Sequence, residues 1–405
     1  IPHKKIASVN VVRDIFNRIF GTTTLSININ SSSRASRPEA NFVFSTALAE
    51  QIRDRLTSNI FEEPKTDGPL VLESLVNLSM KDSVLHGFIG TSTYQLVYAV
   101  ALLAYSVFSA IFLKNSGILI ALFLLVAVEV IPVFFIILKY GNFKVYRIND
   151  QIHLQHGIIQ NYTSKFDVNR INAVRIKRTF FARMLGKSSL EAEVIGINAV
   201  SNDVTPTLCI LADDDKIEQL IRQLVPEFIH DPEMMKQPKR ARSPLLMKAA
   251  IGTALILAVA AYPAYWMCLN GGTLFSDLDS VEILLLEYAP AAAVAVSILL
   301  IFWSAHVSMR VREIGLGKDR FNLINGLLDR QILIIQYDRV QITAVSAGPM
   351  PRRLGLAKCT ISLMSSAGYK NIRSGYFDRD ELYRIGDTML ERLKDGTYDY
   401  GRNSI

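Results

Sequence analysis

Hydropathy divides the chain before any motif does. Leu96 to Leu113 is an uncharged apolar run, Lys114-Asn115-Ser116-Gly117 reads as a tight turn, and Ile118 to Leu138 returns with one charge, Glu129. Ala249 to Leu269 is uncharged again, and after an acidic loop the chain returns through about Ile283 to Ala305. Each run has 18 to 23 residues, and at about 1.5 Å per residue that length crosses a hydrocarbon core of about 30 Å. The pattern predicts four transmembrane helices in two hairpins.

Elsewhere the apolar positions come in short stretches. Phe143 to Tyr146, Gln151 to Gln155, Ala173 to Lys177, Leu190 to Ile195 and Thr207 to Ala212 are rich in Val, Ile, Leu and Thr and are bounded by turn residues, which predicts strands. Three amphipathic helices follow from apolar residues at helical spacing: Leu48, Ile52 and Leu56; Ile217, Leu220, Ile221 and Leu224; Leu382, Ile385, Met389 and Leu393. Asp213 to Asp215 and Asp378 to Asp380 precede two of them and are expected to cap them and to complement the helix dipole. Six or seven short strands ending in one helix predict a small β-sandwich or open barrel plugged at one end.

These elements recur. A block of about 26 residues starts at Lys4, Asn169 and Asp338, and the three copies align without a gap. Each places a basic residue before a branched apolar one (Lys5 and Ile6, Arg170 and Ile171, Arg339 and Val340), an arginine (Arg18, Arg183, Arg352) and, three residues on, a glycine (Gly21, Gly186, Gly355). Copies two and three share a further glycine upstream, Gly157 and Gly326. Such glycines are expected at turns or bulges, and repeated modules separated by hairpins favour a scaffold over a metabolic enzyme. The domains predicted are a truncated first repeat (1–60), a linker or interfacial segment (61–93), a hairpin (94–138), a second repeat (140–228), a basic linker (229–247), a second hairpin (248–308), a third repeat (310–395) and a tail (396–405).

Charge then orients the array. Lys139, Lys144, Arg147, Lys236, Lys239, Arg240, Arg242, Lys248, Arg310 and Arg312 lie on the side carrying the repeats, whereas the loop from Asn270 to Glu282 has no Lys or Arg. The positive-inside rule puts the repeats in the cytoplasm. A formal charge of +7 suits an anionic membrane surface, and the apolar spans favour that over nucleic acid. Cys209, Cys268 and Cys359 are far apart and suggest neither a disulfide framework nor a zinc site.

The glycine turns Gly157-Ile158-Ile159 and Gly326-Leu327-Leu328, the following Arg170-Ile171-Asn172 and Arg339-Val340-Gln341, and the Arg-x-Leu-Gly-like steps resemble the bacterial pleckstrin-homology-like, membrane-flanked domain family, in the tandem arrangement of the YdbT-type membrane proteins. The resemblance implies a membrane protein with α-helical transmembrane hairpins alternating with pleckstrin-homology-like β-sandwich or barrel domains, each of strands plus one C-terminal helix. It also implies a multi-pass protein of a bacterial plasma membrane, a second membrane protein of the same family as partner, and no established catalytic motif. The third copy departs at Val340 and at Ala347-Gly348-Pro349, where its loop is expected to differ.

Candidate chemistry is sparse. Gly186-Lys187-Ser188-Ser189 lacks the first glycine of a phosphate-binding loop, and His153 and His156 in one strand point to opposite faces. No catalytic, metal or cofactor constellation is expected. Arg170, Arg175, Lys177, Arg178, Arg183 and Lys187 form a basic block with no intervening acid. Near an anionic leaflet each contributes about 1 kcal/mol of attraction, so the block is either a membrane-facing or partner-facing surface or a solvated face. Glu129 sits midway along its span, where an ionised carboxylate costs roughly 2.5 to 3.5 kcal/mol, with Tyr105, Ser106 and Ser109 at similar depth. Starting at Ile1 with its early strands missing, the first repeat is expected to be part of a longer protein and to pair its open edge with something.

Two functions of different class follow. One is a non-enzymatic, membrane-anchored binding and assembly protein whose repeats associate with each other, with a partner membrane protein or with the anionic inner leaflet. The other is a transporter or lipid-handling protein that works through its hairpins and Glu129.

Overall fold

The computed structural model describes residues 6–13, 17, 19–29, 40–60, 76–112, 123–159, 161–195, 205–229, 232–274, 280–365 and 368–398. The first repeat supplies β1 (Ile6–Arg13), β2 (Thr22–Ile29), β3 (Ala40–Ser45) and α1 (Thr46–Ile60). After β4 (Val76–Asn77) come α2 (Met80–Ile89), α3 (Thr93–Phe112) and α4 (Ile131–Tyr140), the last preceded by a π-helical turn at Val126–Val130. The second repeat runs through β5 (Lys144–Ile148), β6 (Gln151–His156), β7 (Asn161–Asp167), β8 (Ile171–Arg178), the short α5 (Phe180–Met184), β9 (Lys187–Val194), β10 (Thr207–Asp213) and α6 (Asp214–Leu224). Then follow β11 (Met235–Lys236) and the long helices α7 (Arg242–Leu274) and α8 (Ser280–Val311). The third repeat has β12 (Glu313–Leu316), β13 (Arg320–Gly326), β14 (Arg330–Gln336), β15 (Val340–Ser346), α9 (Pro349–Arg353), β16 (Leu356–Ser365), β17 (Gly368–Arg373), β18 (Phe377–Asp378) and α10 (Arg379–Lys394).

Each full repeat closes one core between two sheets. Phe143, Val145, Ile152, Leu154 and Phe166 from β5 to β7 face Val174, Leu190, Val194, Leu208 and Ile210 from β8 to β10. The apolar stripe of α6, Ile217, Leu220, Ile221 and Leu224, seals the open end. Each large aliphatic side chain so buried contributes about 1.5–3 kcal/mol. Phe321, Leu323, Leu333, Ile361, Leu363, Leu382 and Ile385 build the matching core of the third repeat. Asp213 and Asp378 stand at the helix N-cap positions but make no side-chain cap bond. Their carboxylates are drawn off to Lys187 (2.7 Å) and Arg240 (2.6 Å) instead, which corrects the capping expected for them.

The sheets do not respect the repeat boundaries. One seven-stranded sheet has the order β3-β2-β1-β7-β6-β5-β4 and joins the first repeat to the front half of the second. The next, β10-β9-β8-β14-β13-β12-β11, joins the back half of the second to the front half of the third. The open edge of the first repeat is thereby paired, by β7. That strand is absent from the sequence prediction because Asn-Tyr-Thr-Ser-Lys-Phe-Asp has no apolar alternation. Hydrogen bonding to both β1 and β6 forms it.

Among the described residues two helices are long and apolar enough to cross a membrane, over Lys239–Trp266 and Pro290–Val311. The pair Met80–Ile89 and Thr93–Ala104 makes a third if it counts as one span, bent by 71°. Among the described residues this is fewer than the four spans expected. The return run from Ile118 is described from residue 123 and is helical from there to Tyr140, through the π-helical turn into α4. The stretch expected to be a linker or interfacial segment contains α2, whose Gly87 lies so close to α4 that a Cβ there would sit 3.0 Å from Ile137 Cγ1.

Candidate functional site

The junctions between repeats are built twice on one pattern. At the first, Val11 pairs with Thr163, Val12 with Tyr162 and Arg13 with Asn161. At the second, Ile176 pairs with Ile332, Lys177 with Gln331 and Arg178 with Arg330. Superposing the copies on Gly21, Gly186 and Gly355 brings Val11 onto Ile176, and the spacing of Gly157 and Gly326 brings Thr163 onto Ile332, so the two antiparallel registers are the same. β1, β8 and β15 also share a register shift at equivalent points, between Ile6 and Ser8, Ile171 and Ala173, and Val340 and Ile342. All five repeat-defining glycines have positive φ: 64° at Gly21 and Gly186, 70° at Gly355, 108° at Gly157 and 118° at Gly326. An L side chain rarely adopts that backbone region.

The basic block of the second repeat is mostly committed to internal contacts. Arg175 points inward from β8, is 8% exposed, and pairs with Glu191 at 3.2 Å and with Glu193. Glu193, fully buried, also accepts from Lys370 (2.6 Å) and Ser365 (3.1 Å) of the third repeat. Arg175 therefore belongs to a buried ionic clasp between repeats, not to a membrane-facing surface. Arg178 pairs with Asp214 at 3.3 Å, and Lys187 pairs with Asp213, holding that carboxyl below its usual range. Lys177 Nζ lies 3.5 Å from the Gly90 carbonyl. Burial lowers the pKa of Arg170 and Arg183, and the Arg183 guanidinium lies 5.6 Å from the Phe180 ring. His153 stacks on Tyr146, and His156 Nδ1 is 2.8 Å from the Lys139 carbonyl.

Three elements meet at Asp329, in the β13–β14 turn. One carboxylate oxygen accepts from the Thr93 amide (3.0 Å) and Ser92 Oγ (3.2 Å) at the start of α3. The other meets Thr93 Oγ1 and, at 3.3 Å, the Phe180 amide at the start of α5. Asp329 thus ties the entry of the first apolar helix to the junction of repeats two and three. Glu129 falls in the π-helical turn and Tyr105 in α3, with both side chains outside the described residues. Ser106, placed by the sequence near Glu129, donates to the Leu102 carbonyl at 2.7 Å.

A second cationic cluster has the opposite character to the basic block. Leu245 and Ala249 of α7 bury against Leu356 and Tyr376 of the third repeat, which positions Lys248 over the Tyr376 ring, 5.2 Å from its centroid. Lys358 of β16 lies 4.4 Å from the same centroid. Arg312, one residue beyond α8, and Arg373, ending β17, complete the group. Burial lowers the Lys358 pKa to about 8, reinforced by Lys248, Arg312 and Arg373. Arg312 Nε is buried without a partner. Among the described residues none of these four cations forms an ion pair. Mutual repulsion on a half-buried surface where two apolar helices end is the arrangement an anion relieves. Sequence reading placed Lys248 and Arg312 only in the orientation tally and passed over Lys358 and Arg373, because the four come from separate elements.

Comparison with known proteins gives one match. A model of the bacterial PH domain family covers residues 86–225 and 250–393, so each copy takes in apolar helix and the repeat that follows it. No curated protein matches, and no solved structure matches.

Proposed function

This chain belongs to the bacterial PH domain family, and from that premise we propose that it is a non-enzymatic, membrane-anchored assembly protein whose PH repeats are docking modules. The observation that carries the reading is the junction register shared by β1–β7 and β8–β14. A module that binds its neighbour twice by one strand geometry is a connector, and connectors in series hold partners at fixed spacing. The apolar helices anchor the array, and the repeats lie on the cytoplasmic side, where the basic residues cluster. The test is native mass spectrometry of the full chain extracted with its own lipids. A defined complex of two or more polypeptides is expected. A lone chain whose lipid or ion flux is abolished by Glu129→Gln overturns the reading in favour of transport.

The cluster of Lys248, Arg312, Lys358 and Arg373 supports a second role in the same protein, contact with the anionic inner leaflet. Cations without counter-ions at the ends of α7 and α8 suit a phosphate headgroup, with Tyr376 beneath it.

A further inference from the structure

We propose that the outer edge of β15 is the docking site for the third strand of a further bacterial PH repeat. The inference rests on the assembly reading and specifies where the partner binds and with which element.

In both earlier copies the equivalent strand is interior, with β1 between β2 and β7 and β8 between β9 and β14. β15 has β16 on one side and, among the described residues, no strand on the other. Burial records the difference: Ala173 and Val174 on β8 are 0% exposed, whereas Ile342, which superposes on Ala173, is 56% exposed. Ala344 and Ser346 are exposed as well.

The edge is also chemically open. β8 carries Arg175, Lys177 and Arg178, but Val340 to Pro351 contains no charged residue, and its one proline within reach of the strand, Pro349, lies beyond its end. Proteins usually blunt a free edge with lysine, proline or a bulge. The shift between Val340 and Ile342 does not serve, because β1 and β8 have it and are paired. β17 is a weaker candidate. It carries Lys370 and Arg373, and its counterparts β3 and β10 each end their sheets without extension.

The occupant follows from which strands remain available. The natural complement of β15 is a strand of the β7 and β14 class, and both are engaged within this chain. Among the described residues neither is free to leave its junction, so the donor is the third strand of a further PH repeat. Continuing the two internal junctions sets its register: the residue equivalent to Thr163 lies opposite Val345, that equivalent to Tyr162 opposite Ser346, and that equivalent to Asn161 opposite Ala347.

The test uses the full chain in nanodiscs, in a Cys268→Ser, Cys359→Ser background, since Cys359 lies directly opposite Val345 whereas Cys209 is buried. Val345→Cys is challenged with a peptide of residues 158–168 bearing, in place of Thr163, a cysteine activated as its thiopyridyl disulfide, so that exchange forms the cross-link and releases the pyridinethiol. A disulfide is expected to form about tenfold faster than at Thr343→Cys, and Ile342→Lys, on the exposed face, is expected to slow it about tenfold. Equal capture along the strand, or none, overturns the proposal, as does a Val345→Cys homodimer, which makes a second copy the occupant. If the native complex persists with Ile342→Lys unchanged, the edge is wrong and the assembly reading stands. If the chain is found alone in the membrane, the assembly reading itself fails.

Discussion

Lys358 offers the sharpest test of the anionic-leaflet contact, because its two protonation states pull in opposite directions. With the pKa lowered to about 8, Lys358 is about nine-tenths charged at pH 7 and about one-tenth charged at pH 9. Each basic residue at an anionic surface contributes about 1 kcal/mol, so Lys358→Met is expected to weaken retention of phosphatidylglycerol about fivefold at pH 7, with phosphatidylcholine unaffected. Raising the pH to 9 should cost the unsubstituted protein a similar factor and cost Lys358→Met nothing further. Without an anionic lipid the sign reverses. The folded state binds the proton less well than the unfolded chain, so this lysine's contribution to stability rises as pH climbs from about 8 towards the ordinary lysine value and is lost below. The assay counts lipid retained by the purified chain at the two pH values, alongside thermal unfolding in neutral detergent. Free phosphate as competitor separates a lipid site from a general phosphate site. Equal pH dependence in Lys358→Met, or no preference for the anionic lipid at pH 7, refutes the reasoning.

The buried clasp and the glycines give further expectations. Glu193→Gln takes the shared carboxylate from Lys370 and leaves Arg175 with Glu191 alone, and the loss is expected at the low end of the roughly 3–5 kcal/mol range for breaking a buried pair, read as a drop in unfolding temperature. Gly186→Ala has open space for its Cβ but a φ of 64°, so about 1–2 kcal/mol is expected from backbone strain alone. Gly326→Ala should cost more, since its Cβ would lie 1.9 Å from the Asp329 carbonyl oxygen; equal losses at the two sites would contradict the geometry. Asp329→Asn weakens the bonds to Ser92 and Thr93 and should raise hydrogen exchange at the start of α3 and at Phe180 together; a rise at only one of them would mean that the two are not coupled.

What could be read from the sequence was whatever repeats or alternates within a short window. The three amphipathic helices, five of the second repeat's strands and the glycine turns all have local causes, apolar spacing or a backbone conformation suited to glycine. β7 escaped because its stability is supplied by neighbours on both sides. The role of Arg175 escaped because composition gives its charge but not the buried Glu193 that receives it, and a run of basic residues looks the same whether it faces a membrane or a partner carboxylate. The cluster at Lys358 was hidden for the converse reason: its members are scattered in the chain and meet only when α7, α8 and the third repeat pack together.

Sharing sheets across repeats has a mechanical consequence. Were each repeat a closed barrel on a flexible tether, the array could bend at every linker, and its docking edges would take no fixed direction. Here β8 is bonded to β9 within its own repeat and to β14 in the next, so a bend at that linker must break a strand ladder of backbone hydrogen bonds. The buried Glu193 clasp opposes the same motion, and Asp329 fastens the junction to the first apolar helix. Removing the Glu193 carboxylate loosens only side-chain contacts, whereas proline at Val174, within the doubly paired stretch of β8, interrupts a ladder on one side or the other. Val174→Pro should therefore release the two repeats from each other as well as destabilise the second, and Glu193→Gln should leave their relative orientation intact while lowering stability. Distances between spin labels on α6 and α10 distinguish the two: a broadened distribution for Val174→Pro beside an unchanged one for Glu193→Gln is expected, and broadening in both would assign the rigidity to the ionic clasp.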